Sequence, residues 1–251
     1  MQAASIQAVP ETTRPPFPFL MKLLCLLLIA LLPLTAQADK FFEVDYGDQP
    51  KYLTPLDPPD DYDERLAKHL FLTDGQFGRF LARPSFSAES CVSVHAEVSE
   101  EAKKKHGGWW AVPDDEKKYF ITVTRPSESL WYSMADNNDA KKTRAVKVTR
   151  VDREISLDLA IAIQRAWGRM LQHTRYPAKA SMGLDGVTYQ FSVGVRGIGD
   201  LYGETWTPRG GLTAEIAELG IDLTTFGTDK SAPEQPLIKK LKAFEAKIPK
   251  P

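Results

Sequence analysis

Cysteine and histidine are the residue types of this chain that could supply a nucleophile and its base. Cys91 and His95 lie four residues apart in a segment of alternating apolar residues, which predicts a strand. On a straight strand this spacing separates their Cα atoms by about 13 Å, whereas a thiol and its base need contact at about 3 Å. We therefore expect no dyad between these two residues, although His69 or His173 could approach Cys91 through the fold.

Metal ligands and cofactor motifs are the next possibility. The four histidines are scattered along the chain: His69, His95, His106 and His173. They contain no i, i+4 pair and the chain has no paired cysteines, so no zinc motif is present. Acidic clusters at 57–64 and 136–139 lack the glycine and distal glutamate of a calcium loop, and we interpret both as solvated turns. The glycines of 197–203 fall between two predicted strands and indicate a hairpin. We predict no metal and no cofactor.

The segment KKKHGGWWAVPDDEKK, residues 103–118, contains two adjacent tryptophans in otherwise polar surroundings. If the segment is a strand, one ring can enter the core while the other faces out, and in a loop both can be accessible. Exposed Trp109 or Trp110 beside Lys105 and His106 is typical of a contact point that fills a partner's pocket or stacks on a sugar ring. The alternative is a long hairpin that folds back and buries both rings.

A second candidate site is TWTPRGGL, residues 205–212. Arg209 and two glycines precede a predicted helix, whose free N–H groups favour an anion, and Trp206 could flank that anion. The alternative, which we favour, is a tight strand-to-helix connection with a packed tryptophan.

The N-terminal region predicts export. Residues 21–38 combine a charged start, an apolar run and small residues before Asp39, which is typical of a secretory signal peptide. Residues 1–20 match no part of such a signal, and we interpret them as a start-site artefact. The apolar run is shorter than the roughly 20 residues of a membrane span. We expect a periplasmic or secreted mature chain without a transmembrane segment.

The charge balance bears on the class of partner. The whole chain has a formal net charge of −1, and removing residues 1–38 changes it to about −2. This balance gives no electrostatic reason to bind nucleic acid.

The strands and helices that position these candidate residues are predicted from hydrophobic periodicity. Alternation with a period of two predicts strands in 88–98, 118–124, 187–195 and 201–206, with weaker signals at 130–134 and 146–151. Helical spacing predicts one helix from the cap Ser156 to near Pro177 and another from near Thr213 to Phe226. The order predicts an α+β fold: an antiparallel meander sheet with two amphipathic helices packed on one face, plus a short C-terminal helix.

The predicted organisation has three parts after the signal peptide. Residues 39–85 form an extended and short-helical N-terminal segment, with a helix at 63–70 and a turn at Asp74-Gly75. Residues 86–227 form the α+β core domain. Residues 228–251 form a linker and a short lysine-rich helix, for which composition does not decide between docking and mobility.

The functional hypothesis is an exported, non-enzymatic binding protein of the inhibitor or immunity type, which contacts a macromolecule through the 103–118 hairpin. The partner is another protein or, alternatively, an envelope glycan. A third hypothesis is a hydrolase or transferase. It requires that the fold bring distant residues such as Cys91, His173 and Glu204 together in one active site.

Overall fold

The computed structural model describes residues 51–72, 76–135, 145–177 and 185–250. All of them belong to the unit Gly47–Pro251. The predicted signal peptide and the residues before it lie outside these ranges, as do the predicted turns at Asp74-Gly75 and 136–139. The prediction of export therefore stays a prediction.

In the described ranges, six antiparallel strands form one sheet, in the order β4-β3-β2-β1-β5-β6. Their bounds are β1 Gln76–Pro84, β2 Ser90–Glu97, β3 Lys118–Pro126, β4 Val148–Ile155, β5 Val187–Val195 and β6 Gly199–Trp206. The predicted α+β fold with an antiparallel sheet is confirmed. The first four strands form a meander, and β5 and β6 continue the sheet on the other side of β1.

The central strand β1 lies within the N-terminal segment that we predicted to be extended or short-helical. Its sequence, QFGRFLARP, has no simple alternation of apolar and polar residues. Both of its faces are covered, because Phe80 lies in the main core while Leu81 packs on the other side of the sheet. Arg79 is accommodated on that second side by stacking at 3.7 Å on the Phe71 ring. Because large apolar residues occupy both faces of this strand, the period-two pattern is absent from it.

Six helices accompany the sheet in the described residues. Their bounds are α1 Asp61–Leu70, α2 Glu100–His106, α3 Leu130–Ala135, α4 Leu157–Leu171, α5 Gly211–Thr228 and α6 Gln235–Lys247. Within these ranges, none is long and apolar enough to cross a membrane. The predicted cap of α4 is confirmed, because the Ser156 hydroxyl accepts a hydrogen bond from the Leu159 N–H at 3.2 Å.

The main core lies between the sheet and the two amphipathic helices α4 and α5, as predicted. The opposite side of the sheet carries a smaller cluster formed by α1 and α3. Here the structure corrects the sequence analysis, because residues 130–134, predicted as a strand, belong to α3. The segment 130–134 is too short for its apolar pattern to distinguish a strand from one helical turn. The N-terminus of α3 is held by Glu89, whose carboxylate accepts a hydrogen bond from the Leu130 N–H. Because Glu89 lies far away in the sequence, no local pattern indicates this helix start.

The C-terminal helix α6 docks on α4 and α5. Its apolar stripe is buried in the main core: Leu237, Ile238, Leu241 and Phe244. The connection that precedes it is also held, because the Arg153 guanidinium donates to the Phe226 carbonyl at 2.7 Å and bonds the carbonyls of Asp229 and Ala232. The segment with the composition of a linker is therefore a fixed connection between two packed helices.

Candidate functional site

The β2–β3 connection, residues 98–117, has a helical conformation. The predicted antiparallel pairing of its flanking strands is present, with Glu97 opposite Lys118. Between these strands the chain forms α2 and two 3₁₀ turns, Trp109–Ala111 and Asp114–Glu116. The reason is local, since Ser99 caps α2 at the Ala102 N–H and acidic residues precede basic ones along that helix.

The two tryptophans point to different environments. Trp110 is 80% exposed, whereas Trp109 is partly buried against the main core and has the Lys117 ammonium 5.0 Å from its ring centroid. Consecutive residues of a 3₁₀ turn project about 120° apart, which produces this divergence. The alternative in which both rings are buried is therefore excluded.

Ionic contacts brace the connection around Trp110. Glu116 accepts a hydrogen bond from the Lys105 ammonium at 2.8 Å and contacts His106 Nε2 at 3.1 Å. The bond from Lys105 lowers the pKa of the Glu116 carboxyl, as expected for a carboxylate that pairs with an ammonium group. Lys117 pairs with Asp114 at 2.8 Å. Lys105 and His106, predicted as contact residues, thus bind within their own loop.

Two glycines allow the chain to turn between α2 and the indole. Gly107 ends α2 in the left-handed region, with φ of 79°. Gly108 has φ of 140°, and a Cβ added there would lie 2.9 Å from Trp110 Nε1. The five-membered part of the indole therefore lies against a backbone that only glycine leaves open.

Trp206 and Arg209 lie at the other end of the sheet. The strand register pairs Trp206 with Thr188, near the pair formed by Pro84 and Val187, whereas the β2–β3 connection leaves the opposite ends of its strands. The Trp206 ring packs closely on a turn, because a Cβ on Gly186 would lie 2.9 Å from its Nε1. The structure does not bring these residues together with Trp110.

Comparison with known proteins gives no further guide. No protein family, curated protein or solved structure matches this chain. The functional proposal therefore depends on the geometry of the described residues.

The sequence did not predict Glu116 and Lys117 as residues that brace the β2–β3 connection. The i, i+3 spacing of Asp114 and Lys117 was the local signal that could have indicated one of these contacts.

The scattered residues of a hypothetical hydrolase have separate partners. Cys91 is buried in the smaller cluster beneath α1 and α3. His173 follows α4, and its Nε2 contacts the Pro249 carbonyl at 3.0 Å. Glu204 accepts a hydrogen bond from Gln190 at 3.1 Å, and burial raises the pKa of its carboxyl. Within the described ranges, no group of three or more potential ligand residues could hold a metal ion.

Cys91 should react very slowly with thiol reagents in the native state. Burial raises the pKa of its thiol to about 11, so the reactive thiolate is scarce at pH 8. In a Cys25→Ser variant, where Cys91 is the remaining cysteine, we expect labelling by a chromogenic disulfide at least about 100-fold slower than in denaturant. Equal rates in the native and denatured states would contradict a buried, unreactive thiol.

Proposed function

We propose that this chain is an exported, non-enzymatic binding protein that captures another protein, in the manner of an inhibitor or immunity protein, through its β2–β3 connection. Trp110 is the anchor of that contact. The observation that carries the proposal is a large apolar ring, 80% exposed, on a turn braced by ion pairs.

Burial of the Trp110 indole by a partner would supply most of the binding free energy. A tryptophan side chain has roughly 200 Å² of surface to bury, and at about 25 cal/mol per Å² its complete burial contributes up to about 5 kcal/mol. The bracing of Glu116 by Lys105 and the packing of Trp109 fix the turn before binding. Little conformational entropy is then lost on association, which raises affinity.

The surroundings of the indole favour a protein partner. Several acidic and basic side chains of the same connection are paired with each other, as in Lys103 with Glu100 and Lys105 with Glu116. A central aromatic anchor within a polar, charge-balanced rim is the usual arrangement of a binding hot spot. An envelope glycan is the second candidate, because an isolated, exposed indole also offers a surface on which a sugar ring can stack.

Replacement of the anchor tests the proposal. The partner is first identified by crosslinking the tagged chain in the intact periplasm of a Gram-negative host, and its dissociation constant is then measured with purified proteins. We expect Trp110→Ala to raise that constant at least about 30-fold, since a hot-spot residue contributes 2 kcal/mol or more. The thermal midpoint should stay unchanged, because the ring is outside the core.

The control is Phe86→Ala, which removes another aromatic ring that is 70% exposed and lies outside the β2–β3 connection. It should leave the dissociation constant unchanged. Equal affinity of the Trp110→Ala variant and the unmodified chain would overturn the proposed contact. Capture of glycan fragments in place of a protein, lost in the same variant, would favour the second candidate.

A further inference from the structure

A cleft of about 690 Å³ lies between the second half of α4, the end of β5 and the C-terminal residues. Its volume is within the range of small-molecule sites. Four cationic side chains line it against the one carboxylate of Glu245: Arg165, Arg169, Arg196 and Lys250. Positive charge from three separate chain segments thus surrounds one space.

Within the part of the chain that the structure describes, Glu245 is the one carboxylate paired with these four cations, so most of the positive charge is not neutralised. Arg165 and Arg169 are one helical turn apart, a spacing at which like charges destabilise a helix. Arg169 Nη1 is 3.9 Å from Glu245, at the limit of an ion pair, and the buried Nε of Arg169 has no hydrogen-bond partner among the residues that the structure describes. Among the described residues, Arg165, Arg196 and Lys250 form no ion pair.

The walls of the cleft are held in place by packing and hydrogen bonds. A Cβ on Gly168 would lie 3.3 Å from Val195 Cγ2, so α4 closely approaches the end of β5. Gln164 Nε2 donates to the Gly194 carbonyl at 3.1 Å on the same strand. On the opposite wall, the contact of His173 with the Pro249 carbonyl holds the C-terminal residues beside α4.

We propose that this cleft binds a ligand that carries two or more negative charges on its phosphoryl groups. A guanidinium presents a planar fork of donors that fits phosphate oxygens bidentately. A tetrahedral phosphoryl group directs its oxygens along several directions and can engage donors on two elements at once, here α4 and the residue after β5. This site is separate from the contact proposed for Trp110 and does not depend on it.

Inorganic pyrophosphate is the probe that tests the cleft. Isothermal titration of the purified chain should show saturable binding at one site, and the thermal midpoint should rise with pyrophosphate concentration, because the ligand binds the folded state. We expect Arg165→Gln with Arg196→Gln to weaken binding at least about 10-fold, and Lys250→Gln to weaken it by a smaller factor. The control is Arg125→Gln with Arg150→Gln, two exposed arginines on β3 and β4, which should bind as the unmodified chain does.

Three outcomes would overturn the inference. The first is the absence of saturable pyrophosphate binding to the unmodified chain. The second is unchanged binding in both the Arg165→Gln with Arg196→Gln variant and the Lys250→Gln variant. The third is equally tight binding of citrate at matched ionic strength, which would show that the cleft responds to negative charge without selecting phosphoryl groups.

Discussion

Glu89→Ala is expected to lower the free energy of unfolding by about 4 kcal/mol. Glu89 is only 1% exposed, and its carboxylate accepts four hydrogen bonds. The donors are the Tyr62 hydroxyl at 2.5 Å, the Ser129 hydroxyl at 3.1 Å, the Leu130 N–H at 2.9 Å and the Trp131 N–H at 3.3 Å. The substitution would leave all four donors without their acceptor.

The size of the effect follows from where these donors lie. Two are backbone N–H groups in the first turn of α3, which have no intrahelical partners. A third, the Tyr62 hydroxyl, is itself buried, and burial together with the nearby Glu89 raises the pKa of this phenol. Each unsatisfied buried donor costs about 1–3 kcal/mol, less whatever water entering the site recovers. One carboxylate, on the residue just before β2, therefore joins α1 to the N-terminus of α3.

The measurement is urea unfolding followed by circular dichroism. Glu89→Gln should lose less stability than Glu89→Ala, because its carbonyl oxygen still accepts while its amide adds a donor facing other donors. Glu154→Ala, at an exposed position of β4, is the control and should stay within about 0.5 kcal/mol of the unmodified chain. A loss below about 1 kcal/mol in Glu89→Ala would contradict the role assigned to this carboxylate.

Sequence patterns predicted the elements whose apolar residues are confined mainly to one face, including β2, whose other face is buried but carries Cys91, Ser93 and His95. The alternation in β5 and the helical spacing in α4 and α5 are long enough to fix both type and position. β1 escaped prediction because Phe80 and Leu81 are buried on opposite sides of the sheet. The α3 helix escaped because its N-terminus depends on Glu89, about forty positions earlier, and such a long-range hydrogen bond leaves no local pattern.

For the Trp110 turn and the basic cleft too, sequence patterns indicated only what adjacent residues determine. The sequence correctly raised the possibility that Trp109 and Trp110 diverge, but it did not predict the 3₁₀ turn that separates them. The basic cleft was missed because its charges come from α4, the residue after β5 and the C-terminus. The i, i+4 spacing of Arg165 and Arg169 was its one local signal, and such a pair is common on solvated helix faces.

Gly220→Ala is expected to lower the free energy of unfolding by about 3 kcal/mol through overpacking. Gly220 lies on the buried side of α5, and an added Cβ would lie 2.3 Å from two carbons of the Phe80 ring. That ring is 1% exposed and packs beside Tyr189 and Phe191 of β5, at centroid distances of 5.7 and 5.4 Å. The gain in helix propensity from glycine to alanine, about 1 kcal/mol, is too small to offset this clash.

Two further variants separate the clash from other effects of the substitution. Gly168→Ala, also at a helical glycine facing the sheet, would place its Cβ 3.3 Å from Val195 Cγ2 and should change stability by less than about 1 kcal/mol. Phe80→Leu combined with Gly220→Ala should be more stable than the sum of the single effects predicts, because the smaller side chain vacates the space of the added methyl group. Strict additivity in this double-mutant cycle would show that the Phe80 ring is not what excludes a side chain at position 220, and that α5 requires glycine there for another reason.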